Sequence, residues 1–285
     1  MPVTTSPSLT DVLAAARESF AHAGVDDPSR EALRLWADLA DEPRGMARLR
    51  RDAYVPSELA DRFRAAVARR ASGEPLAYVS GRAGFRHLEL RADRRALIPR
   101  PETEGLVELA LGRMRTGAAA DIGTGTGCVA LSMRQEGAFG RIVGVDSSPD
   151  ALALARANAA ATGLDVMWLQ GDLTASLAEA SLDLLVSNPP YLTEAEWAGL
   201  EEGVKAWEPA MALHSGADGL AATRRLLDDG QRVLRQGGWI ALEIDMARAA
   251  DVAALAHGAG WRSVVVERDL FGRERYLLAQ RSERS

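Results

Sequence analysis

Beyond about residue 118, short apolar runs alternate with helical stretches as far as residue 242. The runs end at Asp121, Val145, Leu169 and Val186, and Trp239-Ile240-Ala241-Leu242 forms another. Helical stretches lie between them: Cys128 to Gln135, Pro149 to Ala161, and Leu220 to Leu234. A strand that feeds a helix and then another strand brings its successor in parallel, because the helix carries the chain back over one face. The pattern predicts an α/β fold, a parallel sheet with helices on both faces. Its first strand, Gly117-Ala118-Ala119-Ala120-Asp121, is recognised only by its place in the alternation, since alanine is a poor strand former.

The first 75 residues read differently. Ser8 precedes the stripe Leu9, Val12, Leu13, Ala16 and Phe20, and Gly24 follows as a stop. Pro28 opens a second helix carrying Leu33, Leu35, Trp36 and Leu39. A third spans Pro56 to Ala71, with Leu59, Phe63, Ala66 and Val67 on its apolar side and Gly73 beyond. Arg44, Arg48, Arg50, Arg51, Arg62, Arg64, Arg69 and Arg70 fall mostly on polar faces, which predicts solvated helix surface. Residues 1–90 carry 13 arginines and 13 acids, so this part is neutral. Between 76 and 98, Ala77-Tyr78-Val79, Phe85 to Leu90 and Ala96-Leu97-Ile98 read as short strands of a hairpin-like connector. It closes on Ile98-Pro99-Arg100-Pro101-Glu102-Thr103-Glu104, a proline-fixed turn into a helix. The expected domains are 1–75, 76–98 and 99–285.

Composition narrows the function classes. The formal net charge is −6, and Lys205 is the only lysine. That disfavours a protein that coats nucleic-acid phosphates. One cysteine, Cys128, excludes an internal disulfide, and the four histidines lack ligand spacing, so no metal is expected. Cys128 opens a helix with no histidine nearby, which predicts packing rather than nucleophilic chemistry. The opening residues have no basic n-region or apolar h-region, and no apolar run is long enough to span a bilayer. A cytoplasmic protein is the expectation.

Three motifs carry chemistry. Asp121-Ile122-Gly123-Thr124-Gly125-Thr126-Gly127 joins a strand to a helix, and its glycines permit a tight turn and close approach of a ligand. Position 128 is Cys, so this is not the dinucleotide fingerprint. The spacing, led by an acid, resembles the first motif of S-adenosylmethionine methyltransferases. Asp146 ends the next strand, where an acid can accept from both ribose hydroxyls. Its alternative role is a helix N-cap, a role that Ser147 or Ser148 could equally fill. Asp172 follows the third strand, where its carboxylate can accept from an adenine amino group. The third motif is Ser187-Asn188-Pro189-Pro190-Tyr191. Its Asn188 side-chain oxygen and Pro189 carbonyl can accept both hydrogens of a planar NH2 group. Pro190 stiffens the turn, and Tyr191 can stack on a flat group. An amide nitrogen is a poor nucleophile, so alignment must supply much of the rate.

Together these residues resemble the HemK/PrmC-type release factor glutamine methyltransferases over nearly the whole chain. The resemblance also rests on Ala23-Gly24-Val25 and Glu31-Ala32 in the helical region, and on Glu74-Pro75-Leu76-Ala77-Tyr78 and Gly84-Phe85 in the connector. Leu97 to Glu104, Glu208-Pro209-Ala210-Met211-Ala212-Leu213 and Asp218-Gly219-Leu220 complete it. It implies a class I, Rossmann-like fold with a mostly parallel seven-stranded sheet, a small N-terminal helical domain that recognises substrate, and a β-hairpin connector. It implies methyl transfer from S-adenosylmethionine to N5 of the glutamine in the Gly-Gly-Gln loop of peptide chain release factors, with S-adenosylhomocysteine as product. By this resemblance Gly123, Thr124, Gly125, Thr126 and Gly127 hold the methionine end, Asp146 the ribose, and Asp172 with Leu173 the adenine side. Asn188, Pro189, Pro190 and Tyr191 bind the glutamine, with Asn188 also near the cofactor and Asn188, Pro189 and Tyr191 catalytic. The segment from Pro99 to Glu102 is expected over the cofactor pocket. Two departures stand out: Glu243-Ile244-Asp245-Met246-Ala247-Arg248, where the family often has Gly and Gln after Glu-Ile, and Ala77, where it often has Gln. A monomer without stable nucleic-acid binding is expected. The alternatives are an adenine amino methyltransferase, which needs a basic groove, and an S-adenosylmethionine-binding protein without turnover, which has no need of the Asn188 turn.

Overall fold

The computed structural model describes residues 7–43, 45–50, 53–199, 202–209 and 213–282. The chain divides into two compact units, the first ending at Arg82 and the second beginning at Ala83.

The first unit is helical. Its helices are α1 (Leu9–His22), α2 (Pro28–Ala40), α3 (Met46–Leu49), α4 (Ser57–Ala71) and α5 (Leu76–Ser80). The Ser8 hydroxyl accepts from the Asp11 N–H at 3.2 Å, and the Ser8 N–H donates to Asp11 Oδ2 at 3.3 Å, a reciprocal cap that fixes where α1 begins. The stripe read from the sequence packs inward: Leu9, Val12, Ala16 and Phe20 are buried against Leu35, Trp36, Phe63 and Val67. Trp36 and Phe63 meet edge to face, 5.3 Å between ring centres. Arg50, Arg62, Arg64 and Arg69 are exposed and Arg70 is half-buried. Arg70 pairs with Glu31 and Arg69 with Glu74. Arg44, Arg51 and the Arg48 side chain lie outside the described residues, as do Ala210, Met211 and Ala212.

Three strand expectations fail as stated. Ala77-Tyr78-Val79 belongs to α5, which starts directly after Pro75 and stops at Gly81, φ +74°. Three consecutive buried residues fit a short helix as well as a strand, and periodicity cannot separate the two. Ala96-Leu97-Ile98 forms no strand. Asp93 accepts from the Arg95 N–H at 3.1 Å and ties the chain into a turn there instead. Phe85 to Leu90 is not one strand: Arg86 and His87 form a turn within it, and β1 (Arg82–Phe85) pairs across that turn with β2 (Leu88–Arg91), so the connector does hold a hairpin.

The second unit continues with α6 (Pro101–Arg113), β3 (Thr116–Ile122), α7 (Cys128–Glu136), β4 (Ala138–Asp146), α8 (Pro149–Thr162), β5 (Met167–Gln170) and β6 (Leu182–Ser187). There follow α9 (Glu194–Gly199), α10 (Glu202–Trp207), α11 (Ala221–Val233), β7 (Leu234–Glu243), α12 (Ala249–Gly258), β8 (Arg262–Arg268) and β9 (Glu274–Gln280). The sheet has seven strands in the order β5-β4-β3-β6-β7-β9-β8. Strands β3 to β7 run parallel, β9 is antiparallel to β7, and β8 is antiparallel to β9. The fold is thus α/β and mostly parallel, as expected. Its α12, β8 and β9 were not read from local pattern.

The Ala-rich strand sits at the centre. Ala118, Ala120 and Ile122 face the core layer that holds Leu226, Leu227 and Val252 of α11 and α12. Ala119 faces the layer with Leu106 of α6 and Leu131 of α7. Ladders to β4 and β6 hold this strand on both sides, so tertiary pairing overrides its low propensity. The chain order places the carboxyl ends of β3, β4, β5 and β6 side by side, with the strand order reversing at β3 and β6. Ligands of such sheets bind in the crevice at that reversal.

Candidate active site

A cavity of ≈ 460 Å³ opens at these strand ends. This is within the range of about 300–1,000 Å³ for small-molecule sites. Gly123, Thr124, Gly125, Thr126, Asp146, Asp172, Leu173, Asn188 and Pro190 line it, together with Ile98, Pro99, Arg100, Thr103 and Arg225. Gly127, Pro189 and Tyr191 are not among the lining residues.

The glycine loop is held from three sides. Gly123, Gly125 and Gly127 have φ values of +72°, +55° and +82°, which side chains with a Cβ rarely adopt. The Gly123 and Thr124 N–H groups donate to the Val145 carbonyl at 2.8 and 2.9 Å. The Gly125 N–H donates to Asp146 Oδ2 at 2.9 Å. Beneath the loop, buried Asp121 accepts from the Thr124 hydroxyl at 2.5 Å and the Ala130 N–H at 3.1 Å. Burial pushes the Asp121 carboxyl up to about 7, against the pull of those two donors. Asp121 therefore anchors the loop. Gly127 serves packing: a Cβ there would lie 2.9 Å from the Trp168 ring.

Asp146 ends β4 and faces the cavity. Its Oδ1 accepts from the Ser148 N–H at 2.9 Å. The capping alternative goes to Ser148, whose hydroxyl accepts from the Ala151 N–H at 3.2 Å. Each Asp146 oxygen thus keeps a lone pair for a further donor, the requirement for gripping a diol. Asp172 is exposed and forms a two-point pair with Arg225, at 2.8 and 3.2 Å. Leu173 beside it has φ +50°. The adenine contact expected of Asp172 must therefore share the carboxylate with Arg225.

Asn188 follows β6. Its Nδ2 donates to Thr103 Oγ1 at 3.1 Å, and that hydroxyl donates to Glu243 Oε2 at 2.7 Å. Thr103 stands in the first turn of α6 and Glu243 ends β7; both are buried. Burial pushes the Glu243 carboxyl up to about 7, opposed by the Thr103 hydroxyl and by Arg275. Burial also raises the Tyr191 hydroxyl, with the charge of Glu243 acting the same way. Arg100 reaches both oxygens of buried Glu208, at 2.6 and 2.7 Å. Pro99 and Arg100 line the cavity, whereas the Glu102 carbonyl accepts from the Tyr276 hydroxyl at 2.7 Å. Burial pushes the Cys128 thiol up to about 12, which rules out a ready thiolate nucleophile.

Thr103, Arg225 and Glu243 were missed as site residues. Glu243 had a signal: it is an acid at a strand tip, the position Asp146 holds on β4. Thr103 lies in the Leu97 to Glu104 motif, but its link to Glu243 is not local, and Arg225 has no local signal, since its partner Asp172 lies 53 positions away. Among the described residues no group of three metal-ligating side chains occurs, and no helix is long and apolar enough to cross a membrane.

Two family descriptions match the chain: PrmC N-terminal domain over residues 11–81, and Methyltransferase small domain over residues 103–200. A release factor glutamine methyltransferase of Cereibacter sphaeroides is 40% identical over 273 residues, covering 95% of this chain and 97% of its own. Its counterpart from Moorella thermoacetica is 40% identical over 284 residues, covering 97% and 99%. That of Deinococcus radiodurans is 38% identical over 277 residues, covering 96% and 99%. A crystal structure of a methyltransferase from Pyrococcus furiosus superposes with a TM-score of 0.53 at 19% identity, covering 69% of this chain and 90% of that one, and supports the fold. On its near full-length identity to these relatives, the chain belongs to the release factor glutamine methyltransferase family.

Proposed function

We propose that this enzyme transfers a methyl group from S-adenosylmethionine to the side-chain amide nitrogen, N5, of the glutamine in the Gly-Gly-Gln loop of peptide chain release factors. The observation that carries this reading is one cavity shared by the glycine loop, Asp146 and Asn188. The residues present fit the cofactor. Asp146 retains acceptors for a ribose diol, the glycine loop permits close approach of the methionine end, and Ile98 and Leu173 supply apolar walls beside Asp172. When bound, the cofactor would supply an electrophilic methyl group on a sulfonium; S-adenosylhomocysteine leaves as product, and the amide nitrogen sheds one of its two protons.

The chain's own residues then have to orient a weak nucleophile. Asn188 Oδ1 and the Pro189 carbonyl accept the two amide hydrogens and aim the nitrogen lone pair. Pro190 limits the freedom of those acceptors, and Tyr191 stacks on the glutamine amide. Residues 1–75 contact the body of the release factor, since a folded substrate that offers one loop gains orientation from a second contact. A cytoplasmic monomer without stable nucleic-acid binding completes the reading.

The test is methyl transfer from labelled S-adenosylmethionine to purified release factor and, in parallel, to DNA. Transfer to the release factor alone is expected. Transfer to DNA alone would replace this reading with the adenine alternative.

A further inference from the structure

The Thr103 hydroxyl carries one hydrogen and stands between two partners. It lies 2.7 Å from Glu243 Oε2 and 3.1 Å from Asn188 Nδ2. Thr103 is 4% exposed and Glu243 is 3% exposed, so water does not compete freely for either. Above about pH 7, where Glu243 is ionised, its carboxylate only accepts, and the Thr103 hydrogen is therefore committed to Glu243. Toward Asn188 the Thr103 oxygen can then only accept. The end of the Asn188 amide turned to Thr103 must be the NH2, and the oxygen is the end left for the cavity that Asn188 lines. The reverse orientation would set two acceptors against each other in a buried place.

Resting on the proposed methylation of an amide, we infer that Thr103 and Glu243 are positioning residues that hold the Asn188 amide with Oδ1, not Nδ2, toward the substrate. The consequence is a choice of reacting atom. Oδ1 accepts from the substrate NH2 and so draws its nitrogen to the methyl donor. A reversed Asn188 would present N–H donors, which attract the substrate oxygen instead. Three separate segments, α6, the turn after β6 and β7, each contribute one member, so the orientation is built by the fold rather than by the Asn188 turn alone.

The experiment uses the full chain labelled with 15N-asparagine. The sequence has only two asparagines, Asn158 and Asn188. Asn158 Nδ2 donates to the Arg91 and Thr126 carbonyls at 3.1 and 2.9 Å, which makes its side-chain signal an internal reference. The Asn188 signal is the one lost in Asn188→Ala. Thr103→Val is expected to move the Asn188 amide pair and leave that of Asn158 in place, with Thr103→Ser restoring it. On release factor, Thr103→Val should lower kcat by roughly 10-fold, the scale of one lost hydrogen bond, with a smaller change in KM. In an Asn188→Ala background it should add no further loss, because it acts through Asn188. Glu243→Gln covers a Thr103→Val chain that does not fold. Its carboxamide can donate to Thr103 and free the hydroxyl hydrogen, so it should move the same signal. An Asn188 signal unmoved by both variants, or losses that multiply in the double variants, would overturn the inference. A moved signal in a protein that methylates no release factor would overturn the proposed function and leave the positioning intact.

Discussion

The helical unit and the sheet unit handle buried carboxyl groups differently. In the first, the described buried acids are Asp38 and Glu74; Glu74 is gripped at two points by Arg69, and the apolar core supplies cohesion. In the second, Glu208 is gripped in the same way by Arg100 and Asp269 pairs with Arg273, but Asp121 and Glu243, buried at or next to strand tips, are held by hydroxyl or backbone donors, and burial pushes both up to about 7. Burying a carboxyl is unfavourable unless donors satisfy it. A chain that keeps two such groups beside one cavity does so where they hold functional parts: Asp121 holds the glycine loop, and Glu243 holds Thr103. Among the described residues, those that line the cavity all belong to the second unit. Stability without chemistry on one side, and chemistry at some cost to stability on the other, is the contrast to be tested.

The largest effect is expected in the helical unit. Phe63→Ala removes a fully buried ring and should lower that unit's stability by about 3–5 kcal/mol. Affinity for S-adenosylmethionine, measured by calorimetry below the unfolding temperature, should not change. A large loss of affinity would break the separation of roles. Next comes Asn188→Ala, which should lower turnover on release factor roughly 10²–10³-fold, the scale of one lost positioned group at a reacting centre. Its unfolding temperature should stay near that of the parent; turnover close to the parent's would remove the amide-positioning role. Asp146→Ala should weaken cofactor binding by about 1.5–3 kcal/mol. Ser148 still caps α8 in that variant, so the helix should persist by circular dichroism.

The smallest effect is a pH slope. The Glu243 carboxyl is raised from an ordinary 4.5 to about 7, so the folded state favours its protonated form. That contribution to stability is complete below about 4.5 and is lost as pH rises through about 7. Arg100, Arg275 and Glu102 bear on the group electrostatically, and the two arginines partly oppose the shift. Thermal unfolding should therefore fall between pH 5 and pH 8, and Glu243→Gln should flatten the fall. Asp121 contributes in the same direction, so some slope should remain. An unchanged slope would show that Glu243 is not held near 7.

What the sequence disclosed follows from how local each signal is. The glycine loop, Asp146 and the Asn188 turn are contiguous and sit at strand ends, so the alternation alone brings them together. Helix α1 is written in its cap and its stripe. The short helix α5 carries no such signal, because three buried neighbours have no period that separates helix from strand. Strands β8 and β9 were invisible locally because β8 alternates only weakly in burial and their antiparallel pairing depends on β7. Thr103 and Glu243 lie 140 positions apart, and only the packing of α6 against β7 joins them.

The central claim is that the cavity aims a substrate amide nitrogen at a methyl donor. Mass spectrometry of a release factor incubated with the enzyme and S-adenosylmethionine tests it most directly, read at the Gly-Gly-Gln loop. One added methyl group on the side-chain nitrogen of that glutamine is the predicted result, and its absence from the Asn188→Ala reaction follows. An unmodified glutamine, or a methyl group carried by another residue of the release factor, would contradict the account.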